Sequence, residues 1–387
     1  MYDAIIIGAG PAGTCCARKL AEEGYSVVVY EKRNEIGAPK RCGEGLEKKA
    51  EKLIGKIPGK CIAQRIKGAR IYAPNGKYLE VVMEGGGFVL ERKSFDKWLA
   101  VRAVDAGAYV QAGTNINELI IEDGYVRGVK GKFIDNEFEE RASIVIFAGG
   151  SDSSLPKQAN LNTTCNPKLI DTCLQYEMAN VKSNPNFIHI YMGNKIAPRG
   201  YCWIFPKGNR TANVGVGVVP SVESPKYYLD KFVRENEDLS KASIIEVNAG
   251  GVPVGGLLKD MVTNGMIVCG EAAHHVNPIH GGGIKEAIIS GQIAADVAAT
   301  ALKKKDCSKK ALSEFNSKWW ELRGNHLSNV EKVREVMENL NDSDFNMLAE
   351  SFRPRDIIEF TRGAKLKIFA RALMKNPKLV TLVRHLI

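Results

Sequence analysis

Ala4-Ile5-Ile6-Ile7-Gly8-Ala9-Gly10-Pro11-Ala12-Gly13 and, one short helix later, Val27-Val28-Val29-Tyr30-Glu31 decide the fold of this chain. The first run is an apolar strand that breaks into a glycine-rich turn, and the second is a buried strand that ends on an acid. Gly8 permits the tight turn out of the strand, Gly10 lets backbone approach a pyrophosphate, and Gly13 lets the helix pack close to the sheet. The helix then points its free N-terminal amides at the phosphates. Glu31 lies eighteen residues past Gly13, where a carboxylate accepts from a ribose diol. Glycine-rich turns also arise for local reasons, so the G-x-G-x-x-G spacing alone says little. Strand, helix and acid agree here, and the stretch reads as the dinucleotide site of a Rossmann-like domain.

The 387 residues suffice for two or three domains with a sizeable core. Apolar runs such as Ser143 to Gly149 are far short of the roughly 20 residues that span a bilayer. The chain enters its first strand with no leader-like segment before it, so a cytoplasmic protein is expected. Nine cysteines form no C-x-x-C pair and there is no His-rich cluster; neither a metal site nor a disulfide scaffold is expected. The net charge of +10 is uneven. From Thr361 to Ile387, Arg362, Lys365, Lys367, Arg371, Lys375, Lys378 and Arg384 alternate with apolar residues and no acid intervenes. This tail reads as a solvated helical face or as a basic surface drawn to anionic lipid, which would place the protein on the inner face of the cell membrane. No nucleic-acid reader motif accompanies the charge.

Further along, Gly37-Ala38-Pro39-Lys40-Arg41-Cys42-Gly43-Glu44-Gly45 is too glycine-rich to be regular and reads as a cofactor or active-site loop. Hairpins are expected around Pro74-Asn75-Gly76 and Asp123-Gly124, a helix over Ser94–Ala106, and a buried strand over Ile144–Phe147. Period-two alternation over 187–191, 201–205 and 213–217 predicts an antiparallel sheet with one face on a core or pocket. The nucleotide fold resumes at Met266 and a small-residue helix runs from Ile284 to Ala301. The expected architecture is mixed α/β. A discontinuous nucleotide domain occupies 1–67, 91–160 and 260–305, an inserted antiparallel sheet 68–90 and 161–259, and a helical, basic region 306–387.

Several motifs together resemble the FAD-dependent geranylgeranyl reductases, of the same fold group as the p-hydroxybenzoate hydroxylase-type aromatic hydroxylases. The resemblance extends to about residue 305. Its most specific part is Tyr-x-Trp-x-Phe-Pro followed by Gly-x-Gly, here Tyr201, Trp203, Phe205, Pro206, Gly215 and Gly217. Arg41-Cys42-Gly43-Glu44-Gly45 and Leu90-Glu91-Arg92 match two further elements. The resemblance implies FAD lined by Ala12, Glu31, Cys42, Gly43, Gly45 and Arg92, with the Ile116 backbone at the adenine. It also implies Glu271 near the ribityl chain and Gly283 and Ile284 at the isoalloxazine. Two departures stand out: Glu271 replaces the family's usual Asp, and Gly149-Gly150 replaces an Asp-Gly pair.

Reduced flavin donates hydride, and saturating an isolated alkene also needs a proton. The implied substrate is a prenylated glycerophospholipid, held against Tyr201, Trp203 and Phe205 with Gly215 and Gly217 leaving room for the chain. Without the family pattern, Trp203 and Phe205 also read as ordinary core. Cys42, beside cationic Arg41, is the first candidate proton donor; Tyr201 and His280 compete, while His274 and His275 read as structural. No second nucleotide fingerprint appears, so a low-potential donor such as ferredoxin, or one linked to NADPH, is expected, with the basic surface docking an acidic carrier. A flavin monooxygenase and a non-catalytic prenyl-lipid carrier remain alternatives on the same fold.

Overall fold

In the computed structural model the described residues are 1–363 apart from 152–153, 209 and 220–222, together with 370 and 374. Most of the basic tail lies outside them. Two eight-stranded sheets organise the chain. The first runs Val262–Thr263, Met266–Val268, Asn136–Phe147, Tyr2–Ile7, Val27–Tyr30, Tyr109–Gln111, and Thr114–Glu122 and Tyr125–Phe133 extend it as a hairpin. Tyr2–Ile7 is paired in parallel on both sides. It is consequently covered on both faces, which is why Ala4, Ile5 and Ile6 are fully buried and the strand reads as a continuous apolar run. Asn136–Phe147 changes partner midway: its first half pairs antiparallel with Tyr125–Phe133, its second half parallel with Tyr2–Ile7.

Helices Pro11–Glu22 and Ile284–Lys304 cross beside this sheet at contact distance. A Cβ on Gly291 would stand 2.2 Å from the Ala12 carbonyl oxygen, so only glycine permits the crossing. The small-residue composition of the second helix follows from this approach, and its Ala294, Ala295 and Ala298 are fully buried.

The second sheet runs Ser243–Pro253, Ile170–Ala179, Thr211–Val218, Tyr201–Pro206, Phe187–Met192, Ile62–Tyr72, Tyr78–Leu90, Gly45–Glu47. It is antiparallel except where Phe187–Met192 meets Ile62–Tyr72 in parallel. That pair joins two chain segments remote in sequence, which local alternation could not reveal. Sheet membership also moves the first crossing between units: Gly45–Glu47 and Ile62–Tyr72 belong to this second sheet, although the sequence division kept 1–67 with the nucleotide domain.

After Lys304 the described chain is helical. One π-helical turn, Trp320–Gly324, leads into Asn325–Met337, then Asp342–Ser351 and Pro354–Gly363. Polar fasteners hold these helices to the rest. Arg334 donates to Asp171 at 2.7 Å and to the Pro278 carbonyl at 2.7 Å, and Glu331 accepts from the Gly256 amide at 2.6 Å. Burial pushes the Asp171 carboxyl above its ordinary range, with Arg334 opposing.

If the helix crossing sets the spacing of the nucleotide domain, Gly291→Ala lowers stability by about 1–3 kcal/mol in urea denaturation. Gly59→Ala, whose added methyl meets nothing, should stay within about 0.5 kcal/mol of the parent.

Candidate active site

Each glycine of the first turn has its own physical reason. Gly8 has φ +100° and a Cβ there would sit 2.4 Å from the Ala148 carbonyl oxygen. Gly13 faces the Gly8 carbonyl, 2.0 Å from where its Cβ would be. At Gly10 nothing lies within 4 Å of where a Cβ would be. Gly8 and Gly13 are thus demanded by packing, whereas Gly10 leaves an open cradle at the helix N-terminus, where Pro11 occupies the first turn. Glu31 closes the cradle: its carboxylate accepts from the Ala9 amide at 2.9 Å and from the Arg33 amide at 3.0 Å.

This cradle opens into a cavity of about 1230 Å³ between the two sheets and the C-terminal helices. Of the residues singled out in the sequence, Gly8, Gly10, Ala12, Glu31, Cys42, Gly43, Gly45, Arg92, Ile116, Glu271, His280, Gly283 and Ile284 line it, and so do Tyr201, Trp203, Phe205 and Gly217 of the second sheet. Gly13, Pro206 and Gly215 do not. Gly215 is filled by its neighbour: a Cβ there would be 2.3 Å from the Trp203 indole. Gly217 faces the Cys173 sulfur, 3.2 Å from its Cβ position. The expectation that both glycines clear a path for a chain is therefore corrected for Gly215, which makes room for Trp203. The indole, packed down onto the sheet, donates Nε1–H to Gln175 at 3.0 Å, and Gln175 donates to the Cys42 carbonyl at 3.1 Å. Phe205 presses on the same loop, 3.0 Å from the Cβ position of Gly43 and 3.1 Å from that of Gly45.

The loop is fastened from beneath by Glu44, whose backbone is left-handed at φ 73° and whose side chain is fully buried. One carboxylate oxygen accepts from the Arg92 amide at 2.8 Å; the other accepts from Asn213 at 2.7 Å and faces the Lys207 ammonium at 2.9 Å. Lys207 also meets Glu91 at 3.0 Å and Glu177 at 3.1 Å, and Lys40 joins Glu177. Burial alone would depress the Lys207 ammonium, but Glu44, Glu177 and Glu91 hold it above its ordinary value. This cluster was not foreseen. Its members are scattered over some 170 positions; Glu44 and Glu91 sat in two separate motifs, and no local pattern joined them.

Cys42 is half-buried, and its sulfur accepts from the Glu44 amide at 3.2 Å. Besides its chain neighbour Arg41, whose side chain runs along Gly250, the Arg92 charge acts on it, with Arg92 itself forked onto Asp96 at 2.9 and 2.8 Å. Tyr201 donates its hydroxyl to the His280 carbonyl at 2.7 Å, and burial raises its pKa. His280 lines the cavity and is exposed by surface area, yet the protein packed around it lowers its pKa by desolvation, against the pull of Glu286. Its Nδ1 accepts from the Gly282 amide at 3.1 Å, which leaves a neutral ring with hydrogen on Nε2. His274 contacts the Gly256 and Thr163 carbonyls, and His275 stacks on Trp319 with ring centroids 3.6 Å apart; both serve packing.

Glu271 accepts from Ser151 at 2.8 Å, which orients the longer arm that replaces the family's aspartate. At Gly149 a Cβ would be 2.8 Å from the Phe147 ring, so the missing acid and the position of that ring belong together. Beyond Trp203 the cavity turns apolar between Ile71, Leu79 and Ile190 of the second sheet and Phe345, Leu348 and Phe352 of the C-terminal helices. These helical residues went unrecognised because their periodicity is that of any amphipathic helix.

Removing the buried carboxylate should unfasten the loop: Glu44→Ala is expected to cost about 3–5 kcal/mol in denaturant titration, because buried cations lose their partner. Glu91→Ala, at the 44% exposed end of the cluster, should cost less than about 1 kcal/mol. At the cradle, Gly10→Ala should keep the parent's melting temperature and lower dinucleotide retention about tenfold, a change of about 1.4 kcal/mol, read from absorbance after gel filtration. Gly13→Ala should lower the melting temperature itself.

Residues 170–252 match the family described as the geranylgeranyl reductase catalytic domain, and residues 6–41 an NAD(P)-binding Rossmann-like domain. A digeranylgeranylglycerophospholipid reductase of Methanocella arvoryzae is 40% identical over 386 residues, covering 98% of this chain and 97% of the relative. One from Methanopyrus kandleri is 37% identical, covering 100% and 99%. Among solved structures, a geranylgeranyl bacteriochlorophyll reductase-like protein from Thermoplasma acidophilum superposes with a TM-score of 0.92 at 33% identity, covering 100% of this chain and 99% of the other. A triple mutant of the flavin-dependent brominase Bmp2, at 18% identity and a TM-score of 0.74, shares the fold. With 37–40% identity to such relatives over nearly its full length, the chain belongs to the digeranylgeranylglycerophospholipid reductase family.

Proposed function

We propose that this protein is an FAD-dependent reductase that saturates the carbon–carbon double bonds of geranylgeranyl chains in digeranylgeranylglycerophospholipids. The observation that carries this reading is the continuity of one cavity from the dinucleotide cradle at Gly10, past Cys42, into an apolar arm. FAD fits the residues present: an open turn at a helix N-terminus, the Glu31 carboxylate, and the Gly281–Ile284 turn with its own helix N-terminus. When bound and reduced, FAD supplies hydride to the alkene.

The protein's part is to hold the chain, exclude water and deliver a proton. The apolar walls bind the isoprenoid by removing its surface from water, at about 25 cal/mol per Å². Packing of the C-terminal helices over that arm keeps bulk water away. Cys42 is the proton donor we favour. Cys42 lines the cavity, its sulfur already accepts from the Glu44 amide, and the Arg92 charge acts on it. Tyr201 is less suited because its hydroxyl proton is committed to the His280 carbonyl, and His280 because its ring is neutral. A low-potential carrier such as ferredoxin, or an NADPH-linked one, is proposed to supply electrons, with the +10 charge favouring an acidic partner. Among the described residues no helix is long and apolar enough to cross a membrane. Association with the inner membrane surface through the basic 361–387 segment is part of the proposal.

Anaerobic incubation of the holoenzyme with dithionite and a digeranylgeranylglycerophospholipid should raise the lipid's mass by two hydrogens per double bond. Bound flavin with no mass gain under these conditions, together with substrate-coupled oxygen uptake in air, would overturn the reductase reading in favour of a monooxygenase. Cys42→Ser should slow reduction about 10²-fold or more with flavin binding retained; an unchanged rate would remove Cys42 from the mechanism.

A further inference from the structure

One register row crosses seven strands of the second sheet: Leu79, Ile71, Ile190, Trp203, Gly215, Gln175, Asn248. Every member except Gly215, whose space the Trp203 indole fills, lines the cavity. The row is therefore a polarity ruler, aliphatic at one edge, aromatic in the middle and amide at the other edge. Six interstrand gaps of about 4.8 Å make it about 29 Å long.

The amide end is incomplete in an informative way. Gln175 uses both ends of its side chain, on Trp203 and on the Cys42 carbonyl. Asn248 is only 7% exposed, and its Nδ2 is buried with no hydrogen-bond partner. A buried amide donor left without an acceptor is costly, because it has given up its bond to water and gained none. Two residues on, the side chain of Arg41 lies along Gly250, so a cation shares this edge of the cavity. Lys40 is there as well, with its charge taken up by Glu177 and Glu246.

We propose that Asn248 marks the site of the substrate's phosphate-bearing end: its amide donates to a phosphoryl oxygen, with Arg41 supplying charge, while the isoprenoid runs along the row toward Ile190, Ile71 and Leu79. This rests on the reductase reading and adds an orientation to it. The lipid enters the reaction with its polar end at the Ser243–Pro253 edge and its chain over the opposite half of the sheet. A specificity follows, because a prenyl chain without a phosphate leaves the Asn248 donor unpaired.

The test compares geranylgeranyl diphosphate with geranylgeraniol as substrates of the dithionite-reduced holoenzyme, for the parent, Asn248→Leu and Asn248→Asp. The ratio of kcat/KM for the diphosphate to that for the alcohol should fall about tenfold in Asn248→Leu and further in the nearly isosteric Asn248→Asp, which places an acid where the donor was. Flavin content and melting temperature should match the parent. An unchanged ratio in both variants overturns the assignment, as does loss of flavin, which would place Asn248 at the cofactor. If the parent reduces neither substrate nor the glycerophospholipid, the reductase reading itself fails and this orientation fails with it.

Discussion

Glu44 is the constraint on which the rest of the site depends. A carboxylate with no exposure would be prohibitively costly alone, and it persists because four donors converge on it: the Arg92 amide, Asn213, Lys207 and, more distantly, Lys40 at 3.7 Å. The donors come from three pieces of the structure: Arg92 opens a helix of the nucleotide domain, Asn213 and Lys207 belong to one hairpin of the second sheet, and Lys40 lies in the loop that carries Glu44 itself. Meeting all of them at once leaves that loop a single arrangement. Such a buried cluster contributes more to specifying that arrangement than to overall stability. The left-handed backbone at Glu44 is part of the same device, since it turns the chain back so that the amide reaches the Cys42 sulfur.

Space, rather than charge, shapes the opposite wall. The Tyr-x-Trp-x-Phe-Pro and Gly-x-Gly segments are neighbouring antiparallel strands whose residues meet in register, Trp203 against Gly215 and Tyr201 against Gly217. The Trp203 indole occupies the absent side chain of Gly215, while Gly217 faces the Cys173 sulfur. The aromatic wall stays low, and the loop carrying Cys42 can pass over it. A motif that invites reading as a binding signature is in good part a packing solution, and its contribution to binding is indirect: it places Gln175, Phe205 and Cys42.

Legibility in the sequence followed the range of the interaction involved. The turn at Gly8–Gly13, the hairpins and the alternating strands were readable because their causes lie within a few residues: a positive φ, a two-residue period, a helix N-terminus. Cys42 and Tyr201 were readable through motifs. The sequence offered only the chain neighbour Arg41 as a cation for Cys42, whereas Arg92 is added through the helix that Glu44 fastens. Gly215 was misread for the same reason, since its occupant comes from another strand.

The sequence by itself determined that a dinucleotide domain exists, which glycines build its cradle, and that an alternating sheet faces it, because backbone sterics and side-chain periodicity act over short distances. Only the tertiary structure decided that Ile62–Tyr72 joins Phe187–Met192 in parallel, that Lys40, Glu44, Glu177 and Lys207 meet out of water, and that an aliphatic edge and an amide edge share one register row. Those outcomes depend on which distant segments can bury surface and satisfy charge together. That is a property of the packed whole and not of any window along the chain.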